Sequence, residues 1–366
     1  MSDDTPAVAL TVEGCRQRQQ RLRGYLRGLD AQAALLTHPR HVHYFSGYWG
    51  SPSIATAMVI PADGPSVLAT AAEPGETIAA DERVPFEADR LCTLVDDQIG
   101  SAVQALKPHL KGVAVLGCDD VQRPWLLSDY KIENLWPTLL GMRRTKCADE
   151  LCLIRRAIAS TEAAYARARH VLKPGVTEIE VYAAMQEAAV NAVGEPIGPF
   201  GNDFQSGAPG GPPRQRPTEA GELMPLDVSV VVRGYSSDLC RTFCVDRQPT
   251  AAQAEAHTRV VAALDHVEAT VRAGTSCRRL YDEVFKMLDG HGGWRFFHHL
   301  GHGIGLNCHE APRLNPNWDD AFGVGDVFTA EPGLYGDELR AGIRIEQNYL
   351  VKEQGLVRLS TYPVEL

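Results

Sequence analysis

At 366 residues, 44% hydrophobic and with a formal net charge of −10, the chain is long enough for two globular domains and too acidic for nucleic acid as a main partner. No run approaches about eighteen consecutive apolar residues, which excludes a membrane-spanning helix, and the acidic residues 1–6 lack the basic and apolar parts of a secretory signal. Nine cysteines without a CxxC pair point to neither a disulfide framework nor a zinc ribbon, so a reducing, cytoplasmic setting with no membrane partner is expected.

Residues 1–12 read as a loose tail. Residues 14–28 form a basic amphipathic stretch with Leu22, Tyr25 and Leu29 on one side and Arg16, Arg18, Arg21 and Arg23 around it, which predicts a solvated surface helix. Short apolar runs follow at 33–36, 56–60, 66–69 and 112–116, with a helical stretch at 96–106 between the last two. Strands alternating with helices predict a compact α/β domain ending near Arg143. It carries no glycine-rich phosphate loop.

Residues 145–171 are expected to form one long helix, stopped by Lys173-Pro174-Gly175. Thr177 with Glu180 three residues on then predicts a capping box and a second helix. The pattern returns later in the chain: Gly274 and Tyr281 follow Gly175 and Tyr182 at the same offset of 99 residues (274 − 175 and 281 − 182). Each helix pair precedes a strand pair bearing two acids, Asp227 and Asp238 first, then Glu331 and Glu346. We read this as an internal duplication whose halves face each other and bring four carboxylates to a shared centre.

Each of these acids sits within or beside apolar or glycine-rich sequence, where an unpaired charge is costly unless paired or metal-bound. His302, between Gly301 and Gly303, is the expected imidazole ligand, because flanking glycines allow close approach. An oxygen-rich set with one nitrogen favours Mn(II), with Co(II), Fe(II) or Zn(II) as alternatives. Two such ions about 3.5–4 Å apart would hold a bridging water and make it a nucleophile near neutral pH. Glu331 is the expected proton shuttle, and His298 and His309 the groups that stabilise a tetrahedral oxyanion or its collapse. His299 is assigned a structural role by strand alternation. Arg344, two residues before Glu346, is placed to steady a metal-bound carboxylate and is also a candidate substrate-binding residue.

With these residues in hand, the chain resembles the pita-bread metallopeptidases of the aminopeptidase P, prolidase and creatinase branch over nearly its whole length. The resemblance implies a creatinase-type N-terminal α/β domain at 1–145 and a pita-bread catalytic domain with pseudo-two-fold duplication at 146–366. Asp227, Asp238, His302, Glu331 and Glu346 fall on the family's five dinuclear metal ligands, and His298 and His309 on its substrate-side histidines. It also implies hydrolysis of Xaa-Pro bonds and a homodimer in which an N-terminal segment, resembled by residues 44–49, walls the neighbouring site.

Two departures bear on substrate. The family's histidine in the loop before the first metal aspartate has no counterpart between His170 and His257; Arg214 or Arg216 is expected to bind substrate in its place, or else the loop is merely exposed. The family's glycine two residues after that aspartate is Ser229 here. The leading expectation is therefore an Xaa-Pro aminopeptidase or dipeptidase. The alternatives are a relative acting on a small non-peptide substrate, as creatinase does, and a non-catalytic binding module of the same fold, which typically loses ligands that this chain keeps.

Overall fold

A computed structural model describes residues 8–51, 53–71, 78–86, 95–121 and 127–366. Residues 1–7 of the expected tail at 1–12, and Cys92, lie outside them. The chain divides into two compact units, one ending at Met142 and the other beginning at Arg143. No helix among the described residues is long and apolar enough to cross a membrane.

The first unit contains α1 (Val12–Gly28), β1 (Ala33–Leu36), α2 (Pro39–Ser46), β2 (Ala57–Pro61), β3 (Val67–Thr70), β4 (Glu82–Pro85), α3 (Gln98–Leu106), β5 (Val115–Cys118) and β6 (Lys131–Asn134), followed by α4 (Trp136–Arg144). Its mixed sheet runs β4-β3-β2-β1-β5-β6, with β1 antiparallel to β2 and parallel to β5. Leu35, Val59, Val67, Leu106 and Leu116 meet in its core. The fourth expected strand begins three residues late, after a turn at Gly112 that needs a positive φ of 84°.

The expected solvated helix at 14–28 is corrected. Thr11 caps α1, and the face that packs inward is Cys15, Arg18, Gln19, Leu22 and Leu26, while Tyr25 and Leu29 are exposed. Arg18 is fully buried because its Nε donates to the Tyr44 carbonyl oxygen at 2.7 Å and its guanidinium lies over the Tyr44 ring. Gln19 similarly reaches the Phe45 carbonyl. Within residues 44–49, Tyr44 and Phe45 are buried in α2 and Trp49 is exposed.

The second unit comprises α5 (Ala148–Val171), α6 (Glu178–Val193), β7 (Leu223–Val228), β8 (Val231–Val232), β9 (Tyr235–Ser236), β10 (Leu239–Cys244), α7 (Ala251–Thr270), α8 (Cys277–Leu288), β11 (Gly301–Gly303), β12 (Glu310–Leu314), β13 (Val327–Ala330), β14 (Gly333–Gly336), β15 (Ala341–Arg344), β16 (Gln347–Lys352) and β17 (Gly355–Arg358). The long helix starts at Ala148 rather than Thr145, because Thr145 bridges to Asp326 and the Cys147 backbone N–H donates to Glu150 at the helix entrance. The capping box at Thr177 and Glu180 forms as expected. Cys240 and Cys244 are free, buried core residues of β10.

The duplication is visible in backbone detail. α5 and α7 each end at an extended residue, Leu172 and Val271, and each passes through a left-handed glycine, Gly175 or Gly274, to a polar cap, Thr177 or Ser276. Gly175 N–H donates to the Thr218 carbonyl at 2.8 Å, and Gly274 N–H to the Phe322 carbonyl at 2.7 Å. The two halves join where the Glu346 N–H donates to the Cys240 carbonyl and Thr242 exchanges hydrogen bonds with the Arg344 backbone.

Candidate metal centre

β7 and β10 pair antiparallel with Asp227 opposite Cys240, so Asp227 and the residue that leads into β10, Asp238, come to the same end of the ribbon. In the other half, β13 pairs with β16 through Ala330 and Gln347, which places Glu331 and Glu346 side by side just beyond the paired residues. β11 runs between β12 and β13 and carries His302. Its flanking glycines serve that passage. A Cβ on Gly301 would stand 2.0 Å from the Thr329 carbonyl oxygen, and one on Gly303 the same distance from that of Ala311.

The five residues meet in two overlapping trios whose donor atoms lie within 4.8 Å of one another: Asp227, Asp238 and Glu346, and His302, Glu331 and Glu346. Glu346 is common to both. A third trio, Asp238 with His302 and His309, overlaps them. His302 Nδ1 sits 3.1 Å from the Gly303 carbonyl, which can only accept, so Nδ1 carries a proton and Nε2 is turned toward Glu331 and Asp238, at 3.4 and 3.7 Å; against the pull of burial, these acids raise the ring's pKa. Thr329 donates to Glu346 at 2.5 Å, and Ser229 to Asp238 at 2.6 Å.

The electrostatics are those of a site built for cations. Burial pushes Asp227 up to about 6, with Arg344 pulling the other way, and burial together with Asp227 pushes Asp238 up to about 7. Glu346 is driven well above the carboxylate range by burial and the neighbouring acids. Glu331 goes the other way, since His299 and His302 outweigh its burial. Burial lowers His298 to about 4, and burial with His302 and His299 lowers His309 to about 4. Two buried oxygens, Asp227 Oδ1 and Glu331 Oε1, lack a well-formed hydrogen bond, and Glu331 Oε1 has only the rings of His299 and His302 near it, at 3.3 and 3.4 Å. Under-satisfied acceptors and mutually repelling carboxylates are what bound divalent cations relieve, so the residues fit such ions.

A cavity of about 460 Å³ opens onto these groups, lined also by Asp203, Gly210, Phe297, His298, His299, Tyr335 and Arg344. Three sequence expectations change here. Arg214 and Arg216 do not line the cavity. Arg214 clamps the buried Glu178 at 2.9 and 2.6 Å, and Arg216 clamps Glu222 at 3.0 and 2.6 Å, so both staple their own loop. The loop meets the cavity through Pro209 and Gly210 instead. Arg344 lines the cavity with its guanidinium already engaged: it joins Asp227 at 2.8 Å and Asp203 on one nitrogen and the Tyr335 hydroxyl at 3.0 Å on another. It thereby has the supporting place expected from its spacing. His299 is not merely structural: residues 296–299 are not a strand, alternation does not apply, and its Nδ1 lies 3.3 Å from Glu331.

His298 has both ring nitrogens engaged, with the His299 carbonyl at 2.7 Å and the Tyr335 hydroxyl at 3.0 Å. His309 packs against His302 at a centroid distance of 3.9 Å, with the rings tilted by 41°. The sequence reading passed over Asp203, Phe297 and Tyr335. Asp203 had a usable signal, an acid lodged between Phe200 and Phe204.

Comparison with known proteins agrees with this geometry. The model of metallopeptidase family M24 matches residues 152–353, and that of the creatinase/prolidase N-terminal domain matches residues 18–129. Uncharacterized peptidases of Staphylococcus aureus are 27% identical over 350 residues, covering 92% of this chain and 97% of theirs. Among solved structures, the Xaa-Pro dipeptidase from Bacillus anthracis superposes with a TM-score of 0.79 at 23% identity, covering 96% of this chain and 99% of its own. The prolidase from Pyrococcus horikoshii OT3 gives 0.78 at 22%, with the same coverage. These likenesses carry the fold, which is the expected pita-bread arrangement behind a creatinase-type domain. Together with the family match over more than half its residues, they make the chain a member of metallopeptidase family M24.

Proposed function

We propose that this chain is a dinuclear metal-dependent hydrolase that cleaves Xaa-Pro peptide bonds. The observation that carries the two-ion reading is the pair of donor trios that share Glu346. Asp227, Asp238 and Glu346 would hold one ion, and His302, Glu331 and Glu346 the other. The oxygen-rich donor set favours Mn(II). Such ions supply Lewis acidity to the scissile carbonyl and activate water near neutral pH. Glu331, flanked by the His299 and His302 rings, moves the proton toward the leaving nitrogen. His309, kept neutral by its burial, offers a ring N–H to the developing oxyanion. His298 orients Tyr335, which in turn holds Arg344. Proline specificity draws its support from neighbours of the same fold, which include prolidases and an X-Pro aminopeptidase from Thermotoga maritima. The proposal includes a homodimer, which sedimentation equilibrium tests.

The decisive experiment is hydrolysis by Mn(II)-loaded protein of Xaa-Pro dipeptides, longer Xaa-Pro-Xaa peptides and proline-free controls. Cleavage confined to proline substrates supports the reading, and the preferred length separates dipeptidase from aminopeptidase. No cleavage with two ions bound would favour a small non-peptide substrate, a second reading motivated by the bare Gly210 edge of the cavity.

A further inference from the structure

We infer that Asp203 is a specificity-determining residue, which selects substrates that place a positive charge in the lobe of the cavity lined by Asp203, Gly210, Phe297 and Tyr335. The inference rests on the hydrolase reading above and deepens it. Asp203 forms a backbone bridge with Asp227, so its carboxylate is fixed next to a proposed ligand. That carboxylate packs directly over Gly210: a Cβ there would stand 2.6 Å from Asp203 Oδ1. The acid thus occupies the space that any side chain at position 210 would need, and the loop meets substrate with a carboxylate and bare backbone.

Arg344 does not cancel this charge. One guanidinium is shared between Asp203 and Asp227, and its side chain is 9% exposed against 20% for Asp203, so the acid is the more open member of the pair. Asp203 Oδ1 accepts from the Gly211 N–H at 2.6 Å and Oδ2 from Arg344, which leaves further lone-pair directions on both oxygens. The Arg344 guanidinium also reaches the Tyr335 hydroxyl at 3.0 Å, so the open aromatic surface of the cavity is that of Phe297. Phe297 is 64% exposed and packs against Tyr335 at a centroid distance of 4.7 Å. A carboxylate in the same cavity as an exposed aromatic face is a cation-binding combination. Two groups of a peptide supply such a cation, the α-ammonium and a basic side chain on the first residue.

Calorimetry on Mn(II)-loaded protein separates them with three uncleavable probes, argininamide, norleucinamide and N-acetyl-argininamide. At least a tenfold preference for argininamide over norleucinamide assigns the side chain, and a tenfold loss on acetylation assigns the α-ammonium. Asp203→Asn should reduce whichever preference the wild type shows by at least tenfold, and Asp203→Glu should restore it. Equal affinity for all three probes in the wild type overturns the inference whether or not the variants fold, and so does an unchanged preference in a folded Asp203→Asn protein. Retained probe discrimination with no cleavage of any Xaa-Pro peptide would keep Asp203 in this role and overturn the hydrolase reading instead.

Discussion

Ser229 donates to Asp238 at 2.6 Å, a contact that a glycine could not make. Groups that orient metal-binding carboxylates typically change affinity 10–100-fold when removed. Ser229→Ala is therefore expected to weaken one of the two ions by about tenfold, read by competitive chelator titration; unchanged affinity would make the contact incidental. Glu346 stands at a different level, since it belongs to both donor trios. Glu346→Ala should cost at least one bound ion by elemental analysis, and lower hydrolysis by more than about a hundredfold, beyond the usual effect of an outer partner. A fully active, metal-analysed Glu346→Ala protein would sink the ligand assignment. At this scale the sequence was legible where chemistry is local, in the acids embedded among apolar residues and in the histidine between glycines. It was illegible for Arg214 and Arg216. Arg214's partner Glu178 lies on α6 and Arg216's partner Glu222 just before β7, and nothing in a proline-rich loop announces an ion pair.

Elements were readable to the extent that their ends carry local signals. The Thr177–Glu180 box and the turn at Gly175 both stand where the chain suggested. The orientation of α1 was not readable, because its inward face holds arginine and glutamine satisfied by backbone carbonyls of α2, a tertiary arrangement that periodicity counts as polar and outward. β11 shows the same limit in reverse. Its glycines were expected to allow close approach, and they do so for two neighbouring backbones that the local sequence does not name. Gly301→Ala would drive a methyl onto the Thr329 carbonyl oxygen. We expect a cost of roughly 3 kcal/mol, or a fall in Tm of about 10 °C for a unit of this size. A Tm within a degree or two of wild type would show that β11 can move aside.

For the molecule as a whole, the buried acids make stability depend on pH and on metal together. In the unfolded chain carboxyls titrate near 4, whereas folded Asp227 and Asp238 titrate near 6 and 7. Between those limits the folded protein holds more protons, so stability falls as pH rises through the window. His298 and His309 act oppositely, since the unfolded rings bind protons up to about 6.5 and the folded rings only to about 4, so their contribution grows as pH rises from 4 to 6.5 and is then complete. Above pH 6.5 the acids still titrate, and so does His302, whose pKa, against the pull of burial, is raised by Glu331 and Asp238, so that its contribution too is lost as pH rises. Metal-free protein should therefore lose Tm between pH 6.5 and 8, and saturating Mn(II) should raise Tm more at pH 8 than at pH 5.5. An equal rise at both values, followed by scanning calorimetry, would contradict the clustered-acid account.

The seam between the repeated halves has a kinetic consequence. Asp227 and Asp238 belong to the first helix-and-strand repeat, whereas His302, Glu331 and Glu346 belong to the second, joined to it by the Glu346–Cys240 backbone bond. Neither repeat alone owns the shared carboxylate together with both of its trios. Full cation capture thus becomes a clock for docking: during refolding, uptake of the second ion should trail helix formation and coincide with the moment the two repeats close on each other.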